Sequence, residues 1–176
     1  PELESLGLEA GNVRAGRTGI ATDLGLRSVS NRCVFAVGDI ADPAGLGPRA
    51  FTHIGAYHAS IVIRRALFRL PARAGYAALP RVTYTSPELA QTGMTEAEAK
   101  AAGFSPTVLR WQLAQNDRAL TERATEGLVK LVTAKRRLLG AGIAAPHAGE
   151  MIGQFTLAIA QRTRLSTLAS LIAPYP

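Results

Sequence analysis

The sequence predicts an α+β fold, an antiparallel sheet with flanking helices, preceded by a segment of α/β type. Three observations support this prediction. The first half holds one continuous apolar run followed by a long helical pattern, the second half holds short alternating segments, and residues 151–159 repeat with a helical period. Strands followed by flanking helices are typical of an antiparallel α+β layer. The change of pattern places a boundary after residue 79, giving domains of residues 1–79 and 80–176.

The first half is predicted to contain one strand and one helix. Residues 1–31 are rich in glycine and polar turns and have little periodicity. The apolar run Cys33–Val37, bounded by turn residues, predicts a fully buried strand of the parallel type, with Cys33 as a small buried hydrophobe. Apolar residues then recur at helical spacing from Ala50 through Ile54 and Tyr57 to Ile61. This helix is predicted to end at Pro71.

The second half begins with a strand and a capped helix. Val82 and Tyr84 alternate with threonines, which predicts an edge or half-buried strand. Thr95 and Glu98 have the spacing of a capping box, and the helix that they open is predicted to stop at Gly103.

A hairpin and a final helix complete the predicted layer. Residues 109–113 alternate between apolar and polar side chains, as in an amphipathic strand. Residues 128–133 and 138–144 form two further strands around the basic turn Lys135-Arg136-Arg137. Met151, Phe155 and Ala158 then share one helical face, and Glu150 in the first turn complements the helix dipole.

Composition narrows the class of protein. The chain is 47% hydrophobic and 19% charged, as in globular proteins, and no apolar run approaches the ~18 residues that span a bilayer. A net charge of +7 suggests nucleic-acid binding, but the basic residues are scattered and aromatics are only 6%, so the basic run is interpreted as a solvated turn.

The single cysteine excludes an internal disulfide and a thiolate metal cluster, and favours a cytoplasmic location. Because the chain starts without a methionine or a signal peptide, we expect a fragment of a longer protein.

Gly38 and Asp39 form the strongest candidate site in the sequence. A buried strand that ends in Gly-Asp delivers a carboxylate to the edge where α/β sheets bind ligands. The helix that follows presents unpaired N–H groups and a positive dipole end at its first turn, residues 50–53. An ordinary turn aspartate is the alternative interpretation of the Gly-Asp pair taken alone.

The order of several motifs resembles one enzyme family. Val34–Asp39 is similar to the second flavin-binding motif of the pyridine nucleotide–disulfide oxidoreductases, the class I flavoproteins that include dihydrolipoamide dehydrogenase and mercuric reductase. Phe51-Thr52-His53 resembles the start of their flavin-facing helix, and Pro80–Ala90 the opening of their dimer-interface domain. Further matching segments follow in the same order at residues 93–96, 116–119, 127–130, 139–141 and 148–152.

This resemblance implies the function of the chain. Residues 1–79 would be the tail of an FAD-binding domain, and residues 80–176 a dimerisation domain that forms a homodimer. Electrons would pass from NAD(P)H through FAD and a redox disulfide to an acceptor. The residues that would bind the cofactor are Gly38, Asp39, Ala50, Phe51, Thr52 and His53. The family's redox cysteine pair and first nucleotide loop are not found in this sequence, so the isolated chain is expected to be inactive.

Tyr175 stands where the lipoamide enzymes of this family carry a catalytic histidine. A phenol holds its proton at neutral pH far more firmly than an imidazole does, which argues against lipoamide turnover. A tyrosine at this position resembles the mercuric reductases of the family. Packing against a partner subunit is the alternative role of Tyr175, and a helix-start histidine is the alternative role of His53. His58 and His147 are assigned surface or capping roles. A non-catalytic protein-interaction module remains the second interpretation of the whole chain.

Overall fold

The computed structural model describes residues 1–175. The chain divides into two compact units, Pro1–Gly75 and Tyr76–Pro176. Among these residues no helix combines the length and the apolar character needed to cross a membrane.

The first unit is built on two short parallel strands and one long helix. Strand β1 (Ile20–Thr22) pairs with β2 (Ala41–Pro43), a one-turn 3-10 segment (Gly38–Ile40) leads into β2, and helix α1 covers Thr52–Ala66. The strands approach closely because residue 19 is glycine: at its φ of +145° a Cβ atom would lie 2.5 Å from the carbonyl oxygen of Ile40. Two small apolar clusters form the core, one of Val13, Ile20, Ala36 and Ala41 and one of Leu26, Ile61 and Ala74.

The predicted buried strand at Cys33–Val37 is wrong. This segment makes a single antiparallel bridge, from Phe35 to Arg27, and only Ala36 in it is buried. Gly38, with φ of +66°, turns the chain out of the extended conformation, so the parallel pairing is made by β1 and β2 instead. Cys33 is exposed and is therefore not a buried hydrophobe.

The helix prediction is confirmed, but its predicted end is not. Helix α1 ends at Ala66, five residues before Pro71. The backbone itself closes the helix: Arg69 adopts the left-handed conformation (φ +53°), and the Leu70 N–H donates to the Arg64 carbonyl at 2.9 Å.

The second unit is the predicted antiparallel sheet with flanking helices. The strand order is β3-β4-β7-β6-β5, with every neighbouring pair antiparallel. The strands are β3 (Arg81–Thr83), β4 (Glu88–Gly93), β5 (Thr107–Gln112), β6 (Leu128–Ala134) and β7 (Arg137–Ala145). The helices are α2 (Glu96–Ala101), α3 (Asp117–Thr121), α4 (Ala148–Ala160) and α5 (Leu165–Ala169).

Local sequence signals place these elements correctly. In the capping box of α2, the Glu98 N–H donates to the Thr95 hydroxyl at 3.2 Å, and the Thr95 N–H donates to the Glu98 carboxylate at 2.7 Å. Gly103 follows the helix with φ of +81°. The basic turn joins β6 to β7 as predicted, with Lys135 and Arg136 between the two strands.

Helix α4 packs on one face of the sheet and forms the main core. Ile152 and Ala148 of the helix lie against Ala90, Ala141 and Ile143 of the central strands. A Cβ atom on Gly140 of β7 would overlap the carbonyl oxygen of Met94, so only glycine fits there.

A carboxylate from the sheet, rather than Glu150, satisfies the start of α4. The Gly149 N–H donates to Glu88 Oε2 at 2.8 Å. Glu150 lies in the first turn as predicted, but its side chain is exposed and contacts His147 at 3.8 Å.

Candidate functional site

The Gly38–Ile40 turn and the first half of α1 form the candidate site of the first unit. Gly38 faces the helix: a Cβ atom on it would lie 3.6 Å from the Cα atom of Gly55. The Gly38 N–H donates to Nδ1 of His58 at 3.1 Å. One hydrogen bond therefore joins the glycine and aspartate of the predicted site to the helix that follows them.

His58 anchors this arrangement, and the surface or capping role assigned to it is wrong, because it is buried in the middle of α1. Its side chain is 0% exposed. Burial lowers the pKa of His58 below its ordinary value of 6.5, because desolvation disfavours the charged imidazolium. A neutral imidazole keeps one ring nitrogen as an acceptor, which the hydrogen bond from Gly38 requires.

Asp39 presents an available carboxylate beside the helix. The residue is exposed, and its carboxylate makes no hydrogen bond or ion pair with any of residues 1–175. Since the backbone of Gly38 is held against α1, the backbone of Asp39 also lies close to this helix. A carboxylate in that position can accept hydrogen bonds from hydroxyl groups of a ligand.

The start of α1 is electrostatically suited to an electron-rich group. Phe51 is the N-cap residue and has no side-chain oxygen to accept an N–H of the first turn, which also contains no acidic residue. The rings of Phe51 and His53 stack with centroids 5.3 Å apart. Ala50, Thr52 and His53 are exposed and Phe51 is half-buried. The positive end of the helix dipole is therefore open to an anion or an electron-rich ring.

Tyr175 belongs to the second unit and is not part of this group. Its side chain is 82% exposed, and its hydroxyl donates to the Asp117 carboxylate at 3.0 Å. Asp117 begins α3, so the contact ties the end of the described chain to that helix.

The second unit also has two large apolar side chains exposed on its edge strand β5. Trp111 of β5 is aligned across the sheet with Val129 and Ile143, so it lies on the face that α4 covers at the central strands. On this edge strand Trp111 is 54% and Leu109 48% exposed. We call these two side chains the β5 apolar edge.

The chain thus combines a glycine–aspartate turn held to a long helix with a five-stranded antiparallel sheet that one helix covers. This combination defines the class of protein to which it is compared. Residues 79–176 match the family described as "pyridine nucleotide-disulphide oxidoreductase, dimerisation domain". Because this match covers more than half of the sequence, the chain belongs to that family of oxidoreductases. The resemblance and the fold class inferred from the sequence are confirmed.

Curated relatives carry two kinds of name. The chain is 36% identical over its whole length to "Dihydrolipoyl dehydrogenase 2" of Haloarcula marismortui, of which it covers 36%. It is 34% identical to "Mercuric reductase" of Staphylococcus aureus, with 99% of the chain and 31% of that protein aligned. The chain therefore spans about a third of the length of these relatives.

Solved structures share the fold. LpdA from Mycobacterium tuberculosis superposes on the whole chain with a TM-score of 0.88 at 24% identity, over 38% of its own length. The HOCl-induced flavoprotein disulfide reductase RclA from Escherichia coli gives a TM-score of 0.83 at 24% identity, over 40% of its length.

Proposed function

We propose that the chain acts as part of an FAD-dependent oxidoreductase that passes electrons from NAD(P)H through FAD and a redox disulfide to an acceptor. Relatives named mercuric reductase and dihydrolipoyl dehydrogenase support this class of reaction. The observation that carries the proposal is the unpaired Asp39 carboxylate beside the uncapped start of α1. In this proposal residues 1–79 supply part of the FAD site and residues 80–176 the dimer interface, and the single exposed cysteine favours the cytoplasm.

The residues of the first unit fit the chemistry of a flavin nucleotide. Asp39 would accept hydrogen bonds from ribityl hydroxyls, and Gly38 would let the backbone approach them. Residues 50–53 would face the isoalloxazine ring, where the helix dipole stabilises negative charge. When bound, FAD supplies a two-electron carrier between the nicotinamide and the disulfide.

His58 would keep these groups in register without touching the cofactor. The hydrogen bond from Gly38 fixes the turn that carries Asp39, and burial of the ring keeps Nδ1 able to accept. His58 is therefore a positioning residue in this proposal.

The second unit would dimerise through the sheet and helices of residues 80–176. The β5 apolar edge supports this, because two large apolar side chains on a core-facing surface gain from burial against a partner. A two-fold interface would place the same patch on both subunits. Tyr175 would then lie near the acceptor of the partner subunit, as a hydrogen-bond donor rather than a base.

Flavin content of the full-length protein tests the cofactor site. Replacing Asp39 with alanine leaves ribityl hydroxyls unpaired, which costs roughly 1–3 kcal/mol of binding free energy. The matched acidic control is Glu150→Ala, which removes an exposed carboxylate and is expected to leave the flavin absorbance per protein unchanged. Equal flavin content in the two purified variants would contradict the assignment of Asp39.

The isolated 176-residue chain gives a second test. It contains one cysteine, so it cannot form the redox disulfide by itself. We expect no NAD(P)H oxidation and weak or no FAD retention after gel filtration. A yellow chain with stoichiometric flavin would show that residues 1–176 suffice to bind the cofactor.

A further inference from the structure

Four cationic side chains meet in one groove of the second unit. Lys135, Arg136 and Arg137 come from the β6–β7 turn, and Arg164 from the residue before α5. Together with Leu165 and Ser166 they line a groove of about 580 Å³. All four cationic residues are exposed, so their charged groups are accessible to a solute.

The backbone holds these residues in place. Arg137 and Arg164 are joined by an isolated antiparallel bridge, and the Leu165 N–H donates to the Arg136 carbonyl at 3.0 Å. Lys135 and Arg136 both adopt the left-handed conformation, with φ of +48° and +64°, which is uncommon for residues other than glycine. The groove is therefore organised by the fold and not only by flexible side chains.

Its charge is not balanced within the chain. Within residues 1–175, no carboxylate forms an ion pair with any of the four groups, and Lys135 has only the Phe104 ring, 5.9 Å away. Like charges placed directly opposite across a bridge, as at Arg137 and Arg164, are destabilising.

Several other cations of the same unit have acidic partners. The ammonium groups of Lys100 and Lys130 lie 2.8 Å and 3.2 Å from the Glu96 carboxylate, and the Arg118 guanidinium forms an ion pair with Glu122. Unlike these cations, the four cationic groups of the groove have no acidic partner among residues 1–175.

We propose that this groove binds a small anion that carries two or more phosphate groups. Guanidinium groups bind phosphate oxygens in bidentate pairs, and the lysine adds a point charge. The positive charges converge on a single groove, and among the residues that the structure describes its lining includes no aromatic side chain to stack a base. These features favour a compact polyphosphate over a nucleic acid. The site is separate from the proposed flavin-binding residues, so it does not depend on that assignment.

Calorimetric titration of the full chain with inorganic pyrophosphate tests the proposal. We expect saturable binding of one pyrophosphate per chain, weakened by added salt. Arg164→Gln and Arg137→Gln should each weaken the affinity about tenfold, because each removes a charge-assisted contact. Arg123→Gln is the matched control, since it removes the same charge from an exposed position of the same unit that does not line the groove. Its affinity should equal that of the unmodified chain.

Three results would overturn the proposal. They are the absence of saturable binding at millimolar pyrophosphate, equal weakening by Arg123→Gln and Arg164→Gln, and duplex DNA that binds more tightly than pyrophosphate through the same arginines. The last result would assign the groove to nucleic acid. Because Arg137 lies in a strand and Arg164 does not, Arg164→Gln tests the site independently of any damage to the hairpin.

Discussion

The hydrogen bond between Gly38 and His58 gives the sharpest prediction about the first unit. His58→Leu introduces an apolar side chain of similar size and removes the acceptor of a half-buried N–H. An unsatisfied donor of this kind costs about 1–3 kcal/mol. That loss should make local opening of the turn about 5- to 150-fold more frequent. His58→Asn places an amide oxygen near the position of Nδ1, so it should retain most of the protection.

The same hydrogen bond should depend on pH. Because burial lowers the pKa of His58 in the folded chain, the unfolded chain binds more protons below pH 6.5. The stabilisation is therefore complete above pH 6.5 and decreases as the pH falls through the lowered folded-state pKa. His58→Asn carries no titrating ring, so it should lack this component.

Hydrogen–deuterium exchange followed by mass spectrometry on peptides that cover residues 34–40 measures both effects. Comparing the variants with the unmodified chain at pH about 7.5 and about 5.5 separates protonation of the ring from the intrinsic pH dependence of exchange. His147→Asn, which changes an exposed histidine of the second unit, is the control and should leave these peptides unchanged. Unaltered exchange in His58→Leu would refute the anchoring role of His58.

Three further predictions concern the second unit. Gly140→Ala should lower the free energy of unfolding of the second unit by more than about 3 kcal/mol, since the new methyl group would overlap the Met94 carbonyl. Urea unfolding followed by the fluorescence of Trp111, the single tryptophan, measures this loss of stability. A smaller loss would mean that the strand can move aside. Trp111→Glu should shift the monomer–dimer equilibrium measured by sedimentation equilibrium towards the monomer, because it places a charge on the β5 apolar edge. Leu6→Glu, at an exposed apolar residue of the first unit, should leave this equilibrium unchanged. An unchanged dimer in Trp111→Glu would exclude the β5 apolar edge from the interface. In the full-length enzyme, Tyr175→Phe should slow turnover of the true acceptor while flavin reduction by NAD(P)H stays unchanged, and dihydrolipoamide should be a poor substrate; rapid dihydrolipoamide turnover would contradict this.

The second unit could be predicted from sequence because its signals are local. The capping box of Thr95 and Glu98 and the basic turn of the β6–β7 hairpin each specify their element within a few residues. The bond from Gly149 to Glu88 joins residues 61 positions apart, and no local pattern indicates which carboxylate meets the helix.

The structure of the first unit is harder to predict from the sequence, because tertiary contacts determine it. An apolar run such as Cys33–Val37 is compatible with a buried strand, but its conformation depends on which strands pair elsewhere. The burial of His58 could have been predicted from its spacing. It lies four residues after Ile54 and three before Ile61, on the buried stripe of α1. A histidine on an apolar stripe indicates a buried ring with a polar partner, and the partner, Gly38, is 20 residues away.

The strand order of the second unit also implies an order of folding. Strands β6 and β7 and helix α4 form one continuous stretch, residues 128–160, whose contacts close only short loops. Strand β4 pairs with β7 across about 50 residues of chain, so it loses more conformational entropy before its contacts form. We expect the hairpin and α4 to assemble first and β4 to dock afterwards. Destabilising changes in the hairpin should then slow folding, whereas those in β4 should mainly accelerate unfolding.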